Sequence, residues 1–168
     1  MLLNEQVAAL IARRADQTTQ AMAEQLGVTE GDLIAALPAD WVTLWPGEQT
    51  EALLGQLTTW GPLTTIVESA GSIFEFKGPF PAGRSGHGYY NLGGDGGLHG
   101  HLKLQAIRQI ALLSKPFMGR PSHAFVFITE DGRCAFKIYL GRDEARQLLP
   151  AQVSRFQQWQ QATGLPTD

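Results

Sequence analysis

The chain has 168 residues, 43% of them hydrophobic, and a formal net charge of −3. Its length allows one domain with a sizeable core, and its apolar fraction excludes a disordered chain. No apolar run approaches the roughly 20 residues that span a bilayer, and the N-terminus MLLNEQVAALIARR lacks the basic start of a signal peptide. We therefore expect a cytoplasmic protein with no stable membrane insertion.

Charge is distributed unevenly along the chain. Residues 1–76 carry ten carboxylates and two arginines, a balance of −8, whereas residues 77–168 carry six carboxylates and eleven Lys or Arg, a balance of +5. The front part should repel polyanions, and the rear part should attract an anionic ligand or partner.

Residues 1–61 form a predicted N-terminal helical segment. Apolar spacing predicts helices from Leu3 and over 19–26, and a third from the capping sequence at Thr29 to Leu37. The pattern is typical of a helix-turn-helix, but the would-be recognition helix offers Glu30 and Asp32 and no cation. Affinity for DNA comes largely from Lys and Arg, so we predict a packing module and no nucleic-acid partner. A short amphipathic stretch, 50–60, follows.

Residues 62–141 form a predicted antiparallel β core. LTTIVES and SIFEFK flank a turn at Ala70-Gly71, and 107–113 predicts a further strand. Two more predicted strands, 124–128 and 134–140, flank Glu130-Asp131-Gly132. Residues 142–168 predict C-terminal helices, over 143–149 and 151–160. The sequence therefore predicts a single α+β domain.

The stretch 84–103, RSGHGYYNLGGDGGLHGHLK, contains three of the four histidines. Strand alternation puts His87, Tyr89 and Asn91 on one face and Tyr90 and Leu92 on the other. If the glycine-rich loop closes a hairpin with Leu92 opposite Leu98, then Asn91 lies across from His99, Tyr89 from His101, and His87 from Lys103. One face would then be apolar. The other is a candidate site, although such a face is often simply the solvated side of a sheet.

Several chemistries compete for these residues. Ser85, His87 and Asp95 lack the GxSxG context of a nucleophilic serine. His99-x-His101 could bind a non-haem metal, but after Asp95 the next acidic residue is Glu130, so a carboxylate that completes the site would have to come from elsewhere in the fold. Ferric haem fits better, since it needs an axial Tyr or His, an apolar cleft and cations for the propionates.

The residues that this interpretation recruits fall into two groups. Apolar candidates for the cleft are Phe74, Phe76, Phe80, Phe117, Met118 and Phe125, and candidate partners for the propionates are Arg84, Lys103, Lys115 and Arg120. No CxxCH is present, so we expect haem b held non-covalently, with no catalytic residue assigned.

At these residues the chain resembles the bacterial haem-utilisation ChuX/HutX family of cytosolic haem carriers. The resemblance rests on WGPLTTIVESAGSIFEFKGPFPAG, HGYYNLGGDGGLHGHLK, KPFMGR and FKIYLGRDEARQLLPAQVSRF. It implies a homodimer that is not an enzyme and that moves imported haem from an importer toward haem-degrading enzymes. It also implies an axial tyrosine at Gly88-Tyr89 and a match of His101 to the family's GH[LI]K histidine. Some members have His where this chain has Glu68, which puts a ligand there in doubt.

These two lines converge on one hypothesis. Tyr89 ligates ferric haem iron, while His101 either tunes it or is the alternative ligand. His87, His101 or Arg84 would favour loss of the phenol proton. Because Tyr89 and His101 share a face, one subunit is not expected to use them on opposite sides of one haem. A haem-degrading enzyme and a haem-responsive regulator that uses the N-terminal helices remain alternatives.

Overall fold

The structure is a computed structural model that describes residues 1–14, 16–94 and 96–166. Its helices are α1 (Leu3–Arg13), α2 (Thr19–Leu26), α3 (Glu30–Ala35), α4 (Thr50–Leu57) and α5 (Pro150–Trp159). Its strands are β1 (Val42–Pro46), β2 (Pro62–Ser69), β3 (Ser72–Pro79), β4 (Gly83–Gly86), β5 (Tyr89–Leu92), β6 (Gly100–Leu102), β7 (Ile107–Ser114), β8 (His123–Thr129) and β9 (Cys134–Leu140).

Two antiparallel sheets organise the molecule. The larger has six strands in the order β1-β7-β8-β9-β2-β3, and the smaller has three in the order β4-β5-β6. Residues alternate between the two faces of a strand, so the large sheet buries side chains on both sides. The α+β class with an antiparallel core is therefore confirmed.

Helices α1 to α3 cover one face of the large sheet. The hydroxyls of Thr18 and Thr29 accept the capping hydrogen bonds that start α2 and α3. Val7, Leu10, Met22, Leu33 and Ile34 are buried against Ala111, Leu113 and Val126 of the sheet. We call this side the helical face.

The other face packs on α4, α5 and the small sheet. Leu53 and Leu57 of α4 and Phe156 of α5 join Phe125 and Ile138 in one buried cluster. Tyr90 and Leu92 of β5 reach the same cluster. The small sheet therefore lies over the large one as an outer layer, which we call the ribbon, and its outer face points to solvent.

Two predicted elements differ from the structure. An entirely helical segment over 1–61 is wrong at Val42–Pro46, which pairs with β7 and becomes an edge of the large sheet. The predicted helix over 143–149 is absent from those residues, so only one helix, α5, follows the sheet in the described chain. There Asp143 accepts a hydrogen bond from the backbone N–H of Gln147, and Arg146 has φ +63°, a left-handed conformation that ends any helix.

Candidate functional site

The ribbon is built on a tight turn and a short glycine-flanked strand. Gly86 pairs with Tyr89, and the two residues between them have positive φ, +54° at His87 and +83° at Gly88. Such two-residue turns match the twist of a hairpin, and glycine at the second position makes the conformation accessible. His87 consequently lies in the turn. The alternation had placed it on the strand beside Tyr89, and that prediction is wrong.

The observed register is shifted by two residues from the predicted one. Asn91 pairs with His101, and Tyr90 pairs with Leu102. A shift by an even number preserves which side chains share a face, because strand side chains alternate with a period of two. The predicted division into an apolar and a polar face is therefore confirmed, although the cross-strand partners were wrong.

Burial separates the two adjacent tyrosines. Tyr90 is 4% exposed and belongs to the core, whereas Tyr89 is 42% exposed. Tyr90 covers Gly83 so closely that a Cβ there would overlap its ring. Burial, and then the Glu51 carboxylate, raise the pKa of the Tyr90 phenol, which disfavours its phenolate further. Tyr89 is the phenol that a ligand can reach.

His101 and Lys103 contact the Tyr89 ring on the outer face of the ribbon, and Asn91 and Arg84 lie on the same face. Its ring meets the His101 ring edge to face, with 5.9 Å between centroids. Lys103 Nζ lies 5.4 Å from the Tyr89 ring centroid, a cation–π distance. The His101 Nδ1 is 2.6 Å from Asn91 Oδ1. Arg84 pairs with Asn91 across β4 and β5, which puts it in the same outer row.

This arrangement can bind a metal complex whose substituents are negatively charged. A phenolate is a hard anionic ligand that suits ferric iron. The neighbouring ammonium and guanidinium groups suit carboxylates on a bound ligand. The structure thus brings Tyr89, His101 and Lys103 together on one face, with Arg84 on the neighbouring strand of that face.

Other predicted residues lie elsewhere. Met118 and Arg120 occupy the β7–β8 connection, whereas the ribbon adjoins the opposite end of β7 through Ile107. Eight residues of strand span about 25 Å, so this loop does not reach Tyr89 within the chain. Lys115 is buried and its ammonium donates to the backbone oxygen of Gln17, on the helical side.

The predicted apolar wall is divided. Phe80 and Phe125 are core residues. Phe74 is 64% exposed on β3, and Phe117 is an exposed residue of the β7–β8 loop. Phe76 approaches the ribbon near Gly97. These residues do not form one slot beside Tyr89 within a single subunit.

The competing chemistries find little support in the described residues. Within 1–14, 16–94 and 96–166, no group of three His, Cys, Asp or Glu side chains is arranged to hold a metal ion. Asp95, proposed for a serine triad, lies outside the described residues, and Ser85 donates its hydroxyl hydrogen to Glu51. Glu68 lines a cleft of about 730 Å³ on the helical face, not the ribbon.

Two features of the site were missed from the sequence. A second cavity of about 370 Å³ lies beneath the β4–β5 turn and is lined by Glu48, just before α4, by Glu51 in the first turn of α4, and by Tyr89 and Tyr90. The Asn91 side chain also links the three strands of the ribbon: from β5, its Nδ2 donates to the backbone oxygens of Arg84 and Gly86 on β4, and its Oδ1 faces His101 on β6. The alternation placed Asn91 on the polar face, but its partners depend on the register and could not be read from the pattern.

Comparison with known proteins places this fold and site in context. The family described as Haem utilisation ChuX/HutX matches residues 43–159. The chain is 56% identical to the intracellular heme transport protein HutX of Vibrio cholerae serotype O1 over 160 residues, which cover 95% of this chain and 83% of that protein. Among the described residues, no helix has the length and apolar character needed to cross a membrane.

Solved structures agree with the sequence comparison. The heme binding protein ChuX is 35% identical, with a TM-score of 0.85 and coverage of 95% of this chain and 97% of that one. A protein from Erwinia carotovora is 36% identical, with a TM-score of 0.89 and coverage of 97% and 99%. The chain therefore belongs to the haem-utilisation ChuX/HutX family.

Proposed function

We propose that this protein is a haem carrier that binds ferric haem b non-covalently through Tyr89 and passes it on intact. The observation that carries the proposal is an accessible phenol flanked by an imidazole and an ammonium, next to a second tyrosine that is buried. Haem is the cargo here. Its iron takes the phenolate, and Lys103 and Arg84 offer charge partners for its propionates.

Family membership supports the same function. HutX of Vibrio cholerae is named an intracellular heme transport protein, and ChuX is named a heme binding protein. By analogy we place this carrier in the cytoplasm, between a haem importer and a haem-degrading enzyme. The carrier would itself catalyse no reaction.

A homodimer would supply the apolar cover that one ribbon lacks. β3 ends the large sheet, and Ile73, Phe74 and Val67 are exposed apolar residues on the β2–β3 hairpin. An unpaired edge strand with apolar side chains is a ready surface for a second copy of the same chain. Sedimentation of the wild type and of Phe74→Ser tests this: a monomeric wild type, or an undisturbed dimer in the variant, would contradict it.

A haem titration tests the proposed ligand. Tyr89→Phe should remove the tyrosinate absorption and weaken binding by more than about 100-fold, since it removes the iron ligand itself. Tyr90→Phe is the matched control and should keep both. If His101→Ala abolishes the complex while Tyr89→Phe leaves it intact, then His101 is the ligand and Tyr89 is not.

A second measurement separates a carrier from an enzyme. The haem-loaded protein is incubated aerobically with a reductant and the pigment is then extracted. A carrier returns intact haem. Formation of a bilin or release of iron would identify a haem-degrading enzyme instead.

A further inference from the structure

Asn91 occupies the centre of the ribbon's outer face. It lies in the middle strand, β5, opposite Arg84 of β4 on one side and His101 of β6 on the other. Its side chain is half-buried and is therefore held in place by its neighbours. Among the described residues of β5, Asn91 is the one on the polar face that pairs with both flanking strands.

The carbonyl groups around Asn91 fix the orientation of its amide. Nδ2 lies 3.1 Å from the backbone oxygen of Arg84 and 3.1 Å from that of Gly86, with the Tyr89 oxygen at 3.4 Å. An amide nitrogen donates two hydrogens, and backbone oxygens only accept. Turning the amide over would bring its oxygen against these oxygens and lose both bonds. The Nδ2 therefore faces the β4–β5 turn.

That orientation decides which nitrogen of His101 carries hydrogen. The Asn91 oxygen is left facing His101 Nδ1 at 2.6 Å. An amide oxygen can only accept, so Nδ1 must donate. In a neutral imidazole the other nitrogen, Nε2, then has the free lone pair. Histidines that serve metal sites are commonly oriented in this way by a second residue.

We propose that Asn91 is a positioning residue that holds His101 in the Nδ1–H tautomer and so presents the Nε2 lone pair to the haem site shared with Tyr89. The assignment rests on the proposed haem-carrier function for its purpose, but the tautomer is a property of the protein alone. The same amide ties the turn before Tyr89 to β6. Tyr89 and His101 are thereby kept at a fixed separation before any ligand arrives.

The tautomer can be measured without haem. Long-range ¹H–¹⁵N correlation of the labelled full chain, recorded about two units above the ordinary imidazole pKa of about 6.5, shows which nitrogen of each histidine is protonated. The wild type should show His101 protonated on Nδ1. Asn91→Leu, which cannot accept, should move the hydrogen to Nε2. Asn91→Asp keeps an acceptor toward Nδ1 and should keep the Nδ1–H tautomer, although its second oxygen cannot donate to the backbone oxygens of Arg84 and Gly86. The exposed His87 and His99 should be unchanged throughout.

Two results would overturn the proposal at this stage. One is a wild-type His101 protonated on Nε2. The other is an Asn91→Leu variant that retains the Nδ1–H tautomer. Should Asn91→Leu fail to fold, as judged by loss of amide dispersion, the wild-type spectrum still decides the matter, since it must show Nδ1–H.

Haem titration of the same variants tests the purpose. Asn91→Leu should bind about 10–100-fold more weakly, the usual effect of removing a group that orients a metal-site residue. Asn91→Asp should recover only part of the loss, because it keeps the acceptor for Nδ1 but not the hydrogen bonds to the turn. Unchanged affinity in Asn91→Leu would overturn the positioning role. A wild type that binds no haem would contradict the proposed function instead, and the haem-free spectra would then stand as a separate result.

Discussion

The two sides of the large sheet handle polar side chains in opposite ways. On the helical face, Lys137 Nζ lies 2.7 Å from Glu30 Oε2, and the Thr19 hydroxyl donates to the same carboxylate at 2.6 Å. Burial lowers the pKa of Lys137, but the Glu30 carboxylate, together with Tyr139 and Cys134, outweighs burial and raises this pKa above its ordinary value. On the ribbon, Tyr89 and His101 are exposed, so their side chains can still form hydrogen bonds or bind a metal.

This difference distinguishes polar groups that are paired within the fold from polar groups that a ligand can reach. The Lys137–Glu30 ion pair joins the sheet to α3, and the Thr19 hydroxyl adds α2 to it, so these polar groups already have partners within the protein. Glu30, which argued against DNA binding from the sequence, is committed to this ion pair. The polar side chains of the ribbon are held in place by their neighbours but can still form further interactions, as a ligand-binding site requires.

The largest effect is expected from breaking the buried ion pair. Lys137→Met would leave the Glu30 carboxylate buried without its partner and should cost about 3–5 kcal/mol in urea unfolding. Haem affinity should not change, because the pair lies on the face away from Tyr89. The double variant Lys137→Met with Glu30→Leu should regain much of the stability. Haem affinity that falls with Lys137→Met would break the proposed separation of the two faces.

A smaller effect is expected from Gly83→Ala, on the ribbon. The added methyl overlaps the Tyr90 ring, and overpacking of this kind costs about 1–3 kcal/mol. Because Tyr90 anchors the strand that carries Tyr89, haem affinity should fall as well, as measured by titration. Gly55→Ala in α4 is the matched control: nothing lies within 4 Å of its Cβ, and it should stabilise by about 0.5–1 kcal/mol. Equal behaviour of the two variants would contradict the packing argument.

The smallest effect concerns His123, a buried histidine far from the ribbon. Its Nδ1 lies 2.7 Å from the Ser114 hydroxyl oxygen, and burial, then Arg142, lower the pKa of its imidazole. The unfolded chain therefore binds this proton more readily than the folded one. Stability should fall as the pH drops below about 6.5, the unfolded value.

The urea midpoint between about pH 7.5 and pH 5.5 measures this loss. His123→Gln should flatten the dependence, whereas the exposed control His87→Gln should retain it. If both variants keep the wild-type slope, another group is responsible.

Local patterns predicted most elements but not their long-range partners. The alternation in 89–92 found the polar and apolar faces because those depend on neighbouring residues alone. The register was two residues off because the connection between β5 and β6 is longer than the glycine run suggested. β1 was missed because it is five residues long and is defined by pairing with β7, more than 60 positions later.

β1 is an element that the sequence pattern missed, whereas the helix predicted over 143–149 is an element that the structure does not have. Its composition suits a helix, but Asp143 bonds to the backbone of Gln147, and Arg142 pairs with Leu148 in an isolated bridge. Likewise, cations such as Lys115 and Arg120 were assigned to the site by charge alone. Both residues follow the C-terminal end of β7, whereas the ribbon adjoins its N-terminal end, and no local sequence pattern shows this separation.

The adjacency of Tyr89 and Tyr90 restricts how the gene can vary. Deleting or inserting one codon within β5 would exchange the two phenols, turning the anchor outward and the ligand into the core. Changes of length should therefore be tolerated in the segment between Leu92 and Gly100, and not in the four residues before it.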